Sequence, residues 1–482
     1  MLNDMRKILK YTFFLAFFSF GLQGCSKYFD DLGSNPNQVT EPTLASLLST
    51  STYKIGVNSY SAASAIVPYV QYTASPTASA ASDTYQTQNF TSLWDALYFA
   101  MADATEMKKR AVELGASEYL GVANLMLAYN LGIVHDYWGS GPFSQAFDIT
   151  NIYPEYDSPE TLYATTLSLV DEAIVELSKT GTSMALAANS DLIYGAASAS
   201  ARRGQWLKFA HALKARLLIK VSKTSSYNPN AVLTAVDNSF KSNSDDAGMG
   251  SFAVRQSWAG VANSNLLQSL GGWLSEQLIE HLDGTTYGIF DPRLPQITDL
   301  TVDGIYIGTV NGAGNRLPGA NTRHDENYIS RNSPWTSDDS PLWIVTYAEI
   351  KFIEAEAALA ANDPGRAYAA YLAGISANMD KLLVSAADKA AYLNSPIVAV
   401  GAANLTKDLI FKEKYVATYL NSEAWNDARR HDYKYKNFDM PLNADLSTFI
   451  RRLDYPQGEV TKNGNNVPSE VPRTTRMWWD QP

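Results

Sequence analysis

A mainly α fold with little β structure is predicted by three features of this sequence. Apolar residues recur at spacings of three and four, as in Leu120, Ala123, Leu127, Leu131 and Val134, which line one face of a helix. Capping residues precede prolines at Ser158–Pro159, Asn228–Pro229 and Asp363–Pro364, the chemistry of helix starts, because the side chain accepts an exposed amide while proline needs no amide partner. Alternating strand patterns are scarce. Paired helices joined by short turns suggest tetratricopeptide-like hairpins, each stacking on the next to bury an apolar face neither covers alone. The spacing is uneven, however, and the connector Asp136–Asp157 exceeds what such a repeat leaves for a turn.

The N-terminus carries Arg6, Lys7 and Lys10 before an apolar run from Tyr11 to Leu22. A bilayer takes about 20 apolar residues, so residues 1–24 read as a cleaved secretion signal. The run ends at Gly24 and Cys25, and Cys25 is the single cysteine of 482 residues. No intramolecular disulfide is available to it. A lone cysteine behind a small residue at the end of a signal reads as a bacterial lipobox, cleaved before Cys25 and acylated there. Several acyl chains give firm anchoring at about 0.8 kcal/mol per buried methylene. Residues 25–40 then form a lipidated tether, in which Ser26, Lys27, Tyr28 and Phe29 precede the first acids, Asp30 and Asp31.

Further helices are predicted over 41–56, 92–114, 160–179, 205–223, 263–282, 345–361, 365–381 and 405–432. Residues 41–250 form a helical scaffold, within which 57–91, rich in Ser, Ala and Thr, reads as an exposed binding loop. Residues 251–344, rich in Gly, Asn, Asp and Pro, read as a loop-rich insertion, after which the scaffold continues over 345–435 and an irregular region closes the chain over 436–482.

Composition excludes several functions. The formal charge is −11. Removing residues 1–24 takes away three basic residues and one acidic residue, leaving 35 against 48, or −13, a surface unsuited to phosphate backbones. His135, His211, His281, His324 and His431 lack the spacing of a zinc motif, and no G-x-S-x-G elbow or phosphate loop is present. Gly312 and Gly314 imitate half of a dinucleotide fingerprint without its strand, helix and third glycine. Two carboxylates suffice for glycoside hydrolysis, and Asp338 with Asp339, or Asp325 with Glu326, are the nearest pairs. Both read as solvated loop acids, and no catalytic residue or cofactor is assigned. The first pair could also help bind a structural calcium.

Sugars offer apolar C–H faces ringed by hydroxyls, so their sites need flat aromatics with polar partners. The chain has 28 tyrosines and 10 tryptophans. Most, such as Trp94 and Trp206, fall on helical stripes and belong to the core. Tyr72, Tyr85, Trp258, Tyr306 and Trp335 lie in polar stretches instead and are the candidate platforms, with Asn89, Asn263, Arg323 and Asp325 as polar partners.

Several segments in order resemble the SusD/RagB family of outer-membrane lipoproteins. These are "NPN" at Asn35–Asn37, "HDYWGSGPFSQAF" from His135, "QWLKFAHALKARLLIKVSK" from Gln205, "YAEIKFIEAEAAL" from Tyr347, "FKEKYVATYLNSEAWNDARRHDY" from Phe411, "RRLDYPQGEV" from Arg451 and "TRMWWD" from Thr475. By themselves these segments read as scaffold, with Trp425, Asp427, Arg429 and Arg430 forming an ion-pair and stacking cluster. The resemblance implies a SusD-like fold and a non-catalytic, surface-exposed lipoprotein that captures a glycan and works as a hinged lid on a SusC-like TonB-dependent outer-membrane barrel. The RagB-like variation implies peptide capture instead. A secreted helical hydrolase is the third reading.

Overall fold

The computed structural model describes residues 41–250, 257–266, 272–316 and 325–482. Cys25 and Arg323 therefore lie outside the described residues. Six helices form the first run: α1 (Leu44–Ile66), α2 (Thr91–Glu113), α3 (Ser117–Trp138), α4 (Pro159–Ser178), α5 (Ala199–Lys220) and α6 (Pro229–Asn238). The capping residues act as their chemistry dictates. Ser158 Oγ accepts the Thr161 amide at 3.2 Å, Asn228 Oδ1 the Asn230 amide at 3.0 Å, and Asp363 Oδ1 the Arg366 amide at 3.0 Å. Successive helices of this run pack on one another, as hairpins of a stacked array do. The apolar stripe of α3 is too narrow a description, since almost every residue of that helix is buried.

Two predictions are corrected here. Residues 57–66 continue α1 and are no loop, because their small side chains let neighbouring helices approach; Gly56, Ser59, Ala62 and Ala63 are all buried. The predicted helix 263–282 is instead α7 (Trp258–Leu266), a short strand, and α8 (Glu276–Asp283).

Strand β1 (Thr73–Ala74) pairs antiparallel with β3 (Trp273–Leu274), and β2 (Ala247–Met249) with β4 (Leu342–Val345). This second ribbon is the neck of the insertion, which leaves the helical body at Met249 and re-enters beside it at Leu342. Between them lie α7, α8 and the single turn α9 (Leu294–Ile297). The scaffold then resumes with α10 (Tyr347–Ala360) and α11 (Pro364–Lys381), and α10 packs directly on α5 and α6. The two halves separated in sequence thus form one body, within a compact unit spanning Leu44–Pro482. α12 (Ala386–Leu393), α13 (Lys407–Ala417), α14 (Glu423–Arg430) and α15 (Gln457–Lys462) complete it. The predicted helix 405–432 is divided between α13 and α14 at Leu420, whose φ of 56° no helix accommodates.

The family-like segments are architectural. Asp136 bonds the Lys220 ammonium at 2.5 Å and accepts the Asn426 amide at 2.7 Å. Arg429 stacks 3.8 Å above the Trp425 ring, and Arg430 bridges Glu356 at 2.6 Å and Asp427 at 2.7 Å. Asp480, fully buried near the C-terminus, takes a 2.7 Å bond from Arg451. Burial raises the Glu356 carboxyl and Arg430 more than offsets it, leaving a pKa of about 2. Gly312 and Gly314 serve packing, not nucleotides. Their φ values are 83° and 77°, and a Cβ on Gly312 would lie 2.0 Å from the Leu442 carbonyl oxygen.

Candidate functional site

Two concavities share α7 and the segment 328–343. The first is a polar cavity of about 240 Å³, lined on one side by Ala262 and Asn265 and on the others by residues 298–301 and 326–332. Its wall is held by its own hydrogen bonds. Asn327 Nδ2 donates to the Asp299 carbonyl at 2.7 Å, and Thr298 Oγ1 donates to the Tyr328 carbonyl at 2.7 Å. Asn265 Nδ2 reaches the Ile329 carbonyl at 3.0 Å. The Asp299 carboxylate accepts from Ser330 Oγ, and from Asn332 Nδ2 at 3.1 Å. Glu326 accepts from Thr309 Oγ1 at 2.8 Å and pairs with Arg316 at 3.1 Å, while burial raises its pKa. This is a preorganised ring of amides, hydroxyls and carboxylates, the groups that read sugar hydroxyls.

The second concavity is a narrow slot of about 10 Å³, between Tyr60, Trp258, Trp335 and Trp343, with Tyr419 and Asn421 among its lining. Tyr60 meets Trp258 edge-on at 4.8 Å, and Trp335 lies 6.0 Å from Trp343. The ribbon makes room for this arrangement. A Cβ on Gly248 would sit 2.6 Å from the Trp343 ring, so only glycine lets that indole lie across the strand. Behind it, the Lys381 ammonium lies 3.0 Å from the Trp343 ring centroid and pairs with Asp246. Burial raises Asp246 to about 6 despite this partner. Tyr419 Oη and Trp343 Nε1 are buried without a hydrogen-bond partner.

Of the residues singled out from sequence, Trp258 and Trp335 meet in the slot. Tyr72 and Tyr85 are corrections. Both are fully buried, Tyr72 donating to the Tyr415 carbonyl and Tyr85 lying edge-on to Tyr69, because the stretch read as a loop folds into the core. Asn89 is exposed, but its Oδ1 accepts the Thr91 amide at 3.1 Å and lines neither concavity. Asn263 lies on α7 outside both linings, whereas Asn265 takes part. Tyr306 is partly buried and packs 6.2 Å from Phe290 instead. Asp325 precedes the lining residue Glu326, and its Oδ1 is buried without a partner. Of the acid pair considered for calcium, Asp338 bonds Arg331 at 2.6 Å. No cluster of three metal-ligating side chains occurs among the described residues.

Sequence reasoning missed Asn265, Asp299, Asn327, Arg331, Trp343 and Tyr419. The density of Asn, Asp, Ser and Arg over 325–332 was the available signal for part of this set. Tyr419 gave none, standing in a scaffold segment.

A third opening, a cleft of about 640 Å³ near the C-terminus, is walled by Val460, Val467, Pro468, Val471 and Pro472 together with Asp454, Glu470 and Arg473, with Tyr455 its single aromatic.

Known proteins give the arrangement a context. A SusD-like family profile described as "Starch-binding associating with outer membrane" matches residues 36–456. Among solved structures, a SusD/RagB family protein from Bacteroides thetaiotaomicron is 20% identical, with a TM-score of 0.74 over 91% of this chain and 99% of that one. A SusD homolog from Bacteroides fragilis is 20% identical, with a TM-score of 0.73 over 92% and 100%. A structure described as a chitin-binding protein is 22% identical, with a TM-score of 0.73 over 91% and 100%. No curated protein matches the chain.

Proposed function

Because this chain belongs to the SusD-like family, whose profile is that of starch-binding proteins associated with the outer membrane, we propose that it captures an oligo- or polysaccharide at the insertion, without turnover. The observation that carries this reading is the juxtaposition of an aromatic slot and a fixed polar ring on one helix and one segment. The amides, hydroxyls and carboxylates of the ring take sugar hydroxyls, and the partly exposed rings of Tyr60 and Trp343 beside the slot offer apolar faces to its C–H groups. The carboxylates that line the cavity, Asp299 and Glu326, are both engaged by neighbouring donors, which favours binding over acid–base chemistry.

The proposal extends to the anchor and the partner. Acylation at Cys25 would hold the chain at the outer membrane, and no helix among the described residues is long and apolar enough to cross a bilayer. Delivery to a SusC-like TonB-dependent barrel rests on family membership. A second reading, peptide capture, is favoured by one feature, the C-terminal cleft, which sets Val and Pro side chains beside the charged Asp454, Glu470 and Arg473.

Melting shifts across a panel of polysaccharides and peptides test the reading. At least one glycan should raise the melting temperature, and Tyr60→Ala or Trp343→Ala should weaken its binding by about tenfold, or about 1.4 kcal/mol. Stabilisation by peptides alone, or glycan turnover that depends on Asp299 or Glu326, would overturn it.

A further inference from the structure

The polar cavity carries charge that the fold does not balance. Asp299, Glu326 and Arg331 are the charged residues of its lining. Two of them are answered within the chain. Glu326 pairs with Arg316, which Glu276 also engages, and Arg331 pairs with Asp338 at 2.6 Å. Asp299 has no cationic partner among the described residues. Its carboxylate accepts from Ser330 Oγ and from Asn332 Nδ2 at 3.1 Å, and both donors are uncharged.

Those two bonds do more than satisfy the carboxylate. Ser330 and Asn332 both belong to the lining, so they hold the exposed Asp299 side chain at the wall of the cavity. A carboxylate offers about four lone-pair sites, of which about two stay open here. The neighbouring wall is biased in the same sense. Asp325, which precedes Glu326, has a buried Oδ1 without a partner. The Tyr328 hydroxyl is pushed up by burial and then by Asp325 and Glu326, and Tyr306 by burial and then by Asp299, as a negative field requires.

The size of the cavity makes this charge felt by whatever enters. About 240 Å³ lies just below the roughly 300–1,000 Å³ of pockets for drug-sized ligands, room for about one sugar ring. A sphere of that volume is about 8 Å across, no more than the distance over which physiological salt screens a charge. A sugar hydroxyl donates its proton to an open lone pair of Asp299. A sugar carboxylate or sulfate has only acceptors to offer, leaves those lone pairs unmet and is repelled.

We propose that Asp299 is the specificity-determining residue of the cavity, accepting the hydroxyl protons of an uncharged sugar and rejecting uronic acid and sulfated units, with Ser330 and Asn332 as its positioning residues. The inference rests on the glycan reading above and narrows its substrate class to neutral glycans.

Calorimetry on the mature chain with malto-, cello-, laminari- and mannohexaose, each also titrated after oxidation of its primary hydroxyls to carboxylates, tests it. Oxidation keeps the linkages and changes the charge. The tightest neutral binder should lose at least about tenfold in affinity when oxidised. Asp299→Asn should weaken the neutral form and bring the ratio of the two toward one, with an unchanged melting temperature, because the side chain is exposed. Salt at about 1 M should narrow the ratio for the parent and not for the variant. Equal or tighter binding of the oxidised form, or a ratio that Asp299→Asn leaves unchanged, would overturn the assignment while leaving glycan capture standing. Failure to bind any hexasaccharide, neutral or oxidised, with peptides bound instead, would overturn both.

Discussion

Replacing His281 by glutamine should remove a defined share of the acid sensitivity of folding. His281 is buried on α8, with its ring 4.9 Å from Tyr415 and 4.7 Å from Tyr287. Nε2 donates to the Lys412 carbonyl at 3.0 Å, which leaves Nδ1 as an acceptor without a partner. Burial lowers its pKa to about 3, reinforced by the Lys412 ammonium. In the unfolded chain the imidazole protonates near its ordinary value of about 6.5, while the folded one stays neutral. Its contribution to stability is therefore complete above pH 6.5 and is lost as the pH falls from there toward 3. Between pH 7 and pH 5 the loss comes to about 2 kcal/mol, at about 1.4 kcal/mol per pH unit once the unfolded form titrates. His431, lowered to about 4, acts in the same direction. Asp246, raised to about 6, acts in the opposite one, since its folded form takes up a proton first and gains stability as the pH falls. The informative quantity is thus a difference. Urea unfolding at pH 7 and pH 5 should show His281→Gln losing about 2 kcal/mol less than the parent over that interval, whatever glutamine costs at pH 7. A pH dependence unchanged to within about 0.5 kcal/mol would refute the reasoning.

Two further outcomes are expected. Gly312→Ala places a Cβ against the Leu442 carbonyl at a φ of 83° and should cost about 2–5 kcal/mol in urea unfolding; an unchanged midpoint would show that the turn yields. Cys25→Ser should abolish incorporation of labelled palmitate and release the chain from the outer-membrane fraction, and a labelled or still membrane-bound variant would place the anchor elsewhere.

Helices were legible where local chemistry decides them. The prolines at 159, 229 and 364, each behind a capping side chain, mark helix starts that owe nothing to tertiary contacts. The continuation of α1 was hidden because Ser, Thr and Ala have the composition of a loop, and only the close approach of α2 and α3 gives small residues a reason to be helical. Tyr72 and Tyr85 went astray with it, since their burial depends on segments hundreds of residues away, such as Tyr415 and Arg473. The site was half legible. Trp258 and Trp335 stand out as large aromatics in polar surroundings, whereas Tyr419 sits in a scaffold segment, and its unmet hydroxyl is a property of three-dimensional neighbours alone.

The ribbon of β2 and β4 has a bearing on how such a chain diversifies. Entry and exit of the insertion are hydrogen-bonded to each other, so the segment leaves and rejoins the helical body at one place. Lengthening a loop costs only about 0.6 kcal/mol per doubling, so the exposed loops between Met249 and Leu342 can lengthen cheaply, while β3 on β1, His281 on the Lys412 carbonyl and Gly312 against Leu442 tie the rest of the segment to the frame. Tyr60 and Tyr419 belong to the frame, and Trp258 and Trp335 to the inserted segment. A graft from a relative would replace one wall of the slot and keep the other, provided that it brought with it the contacts that seat β3, His281 and Gly312 on the frame.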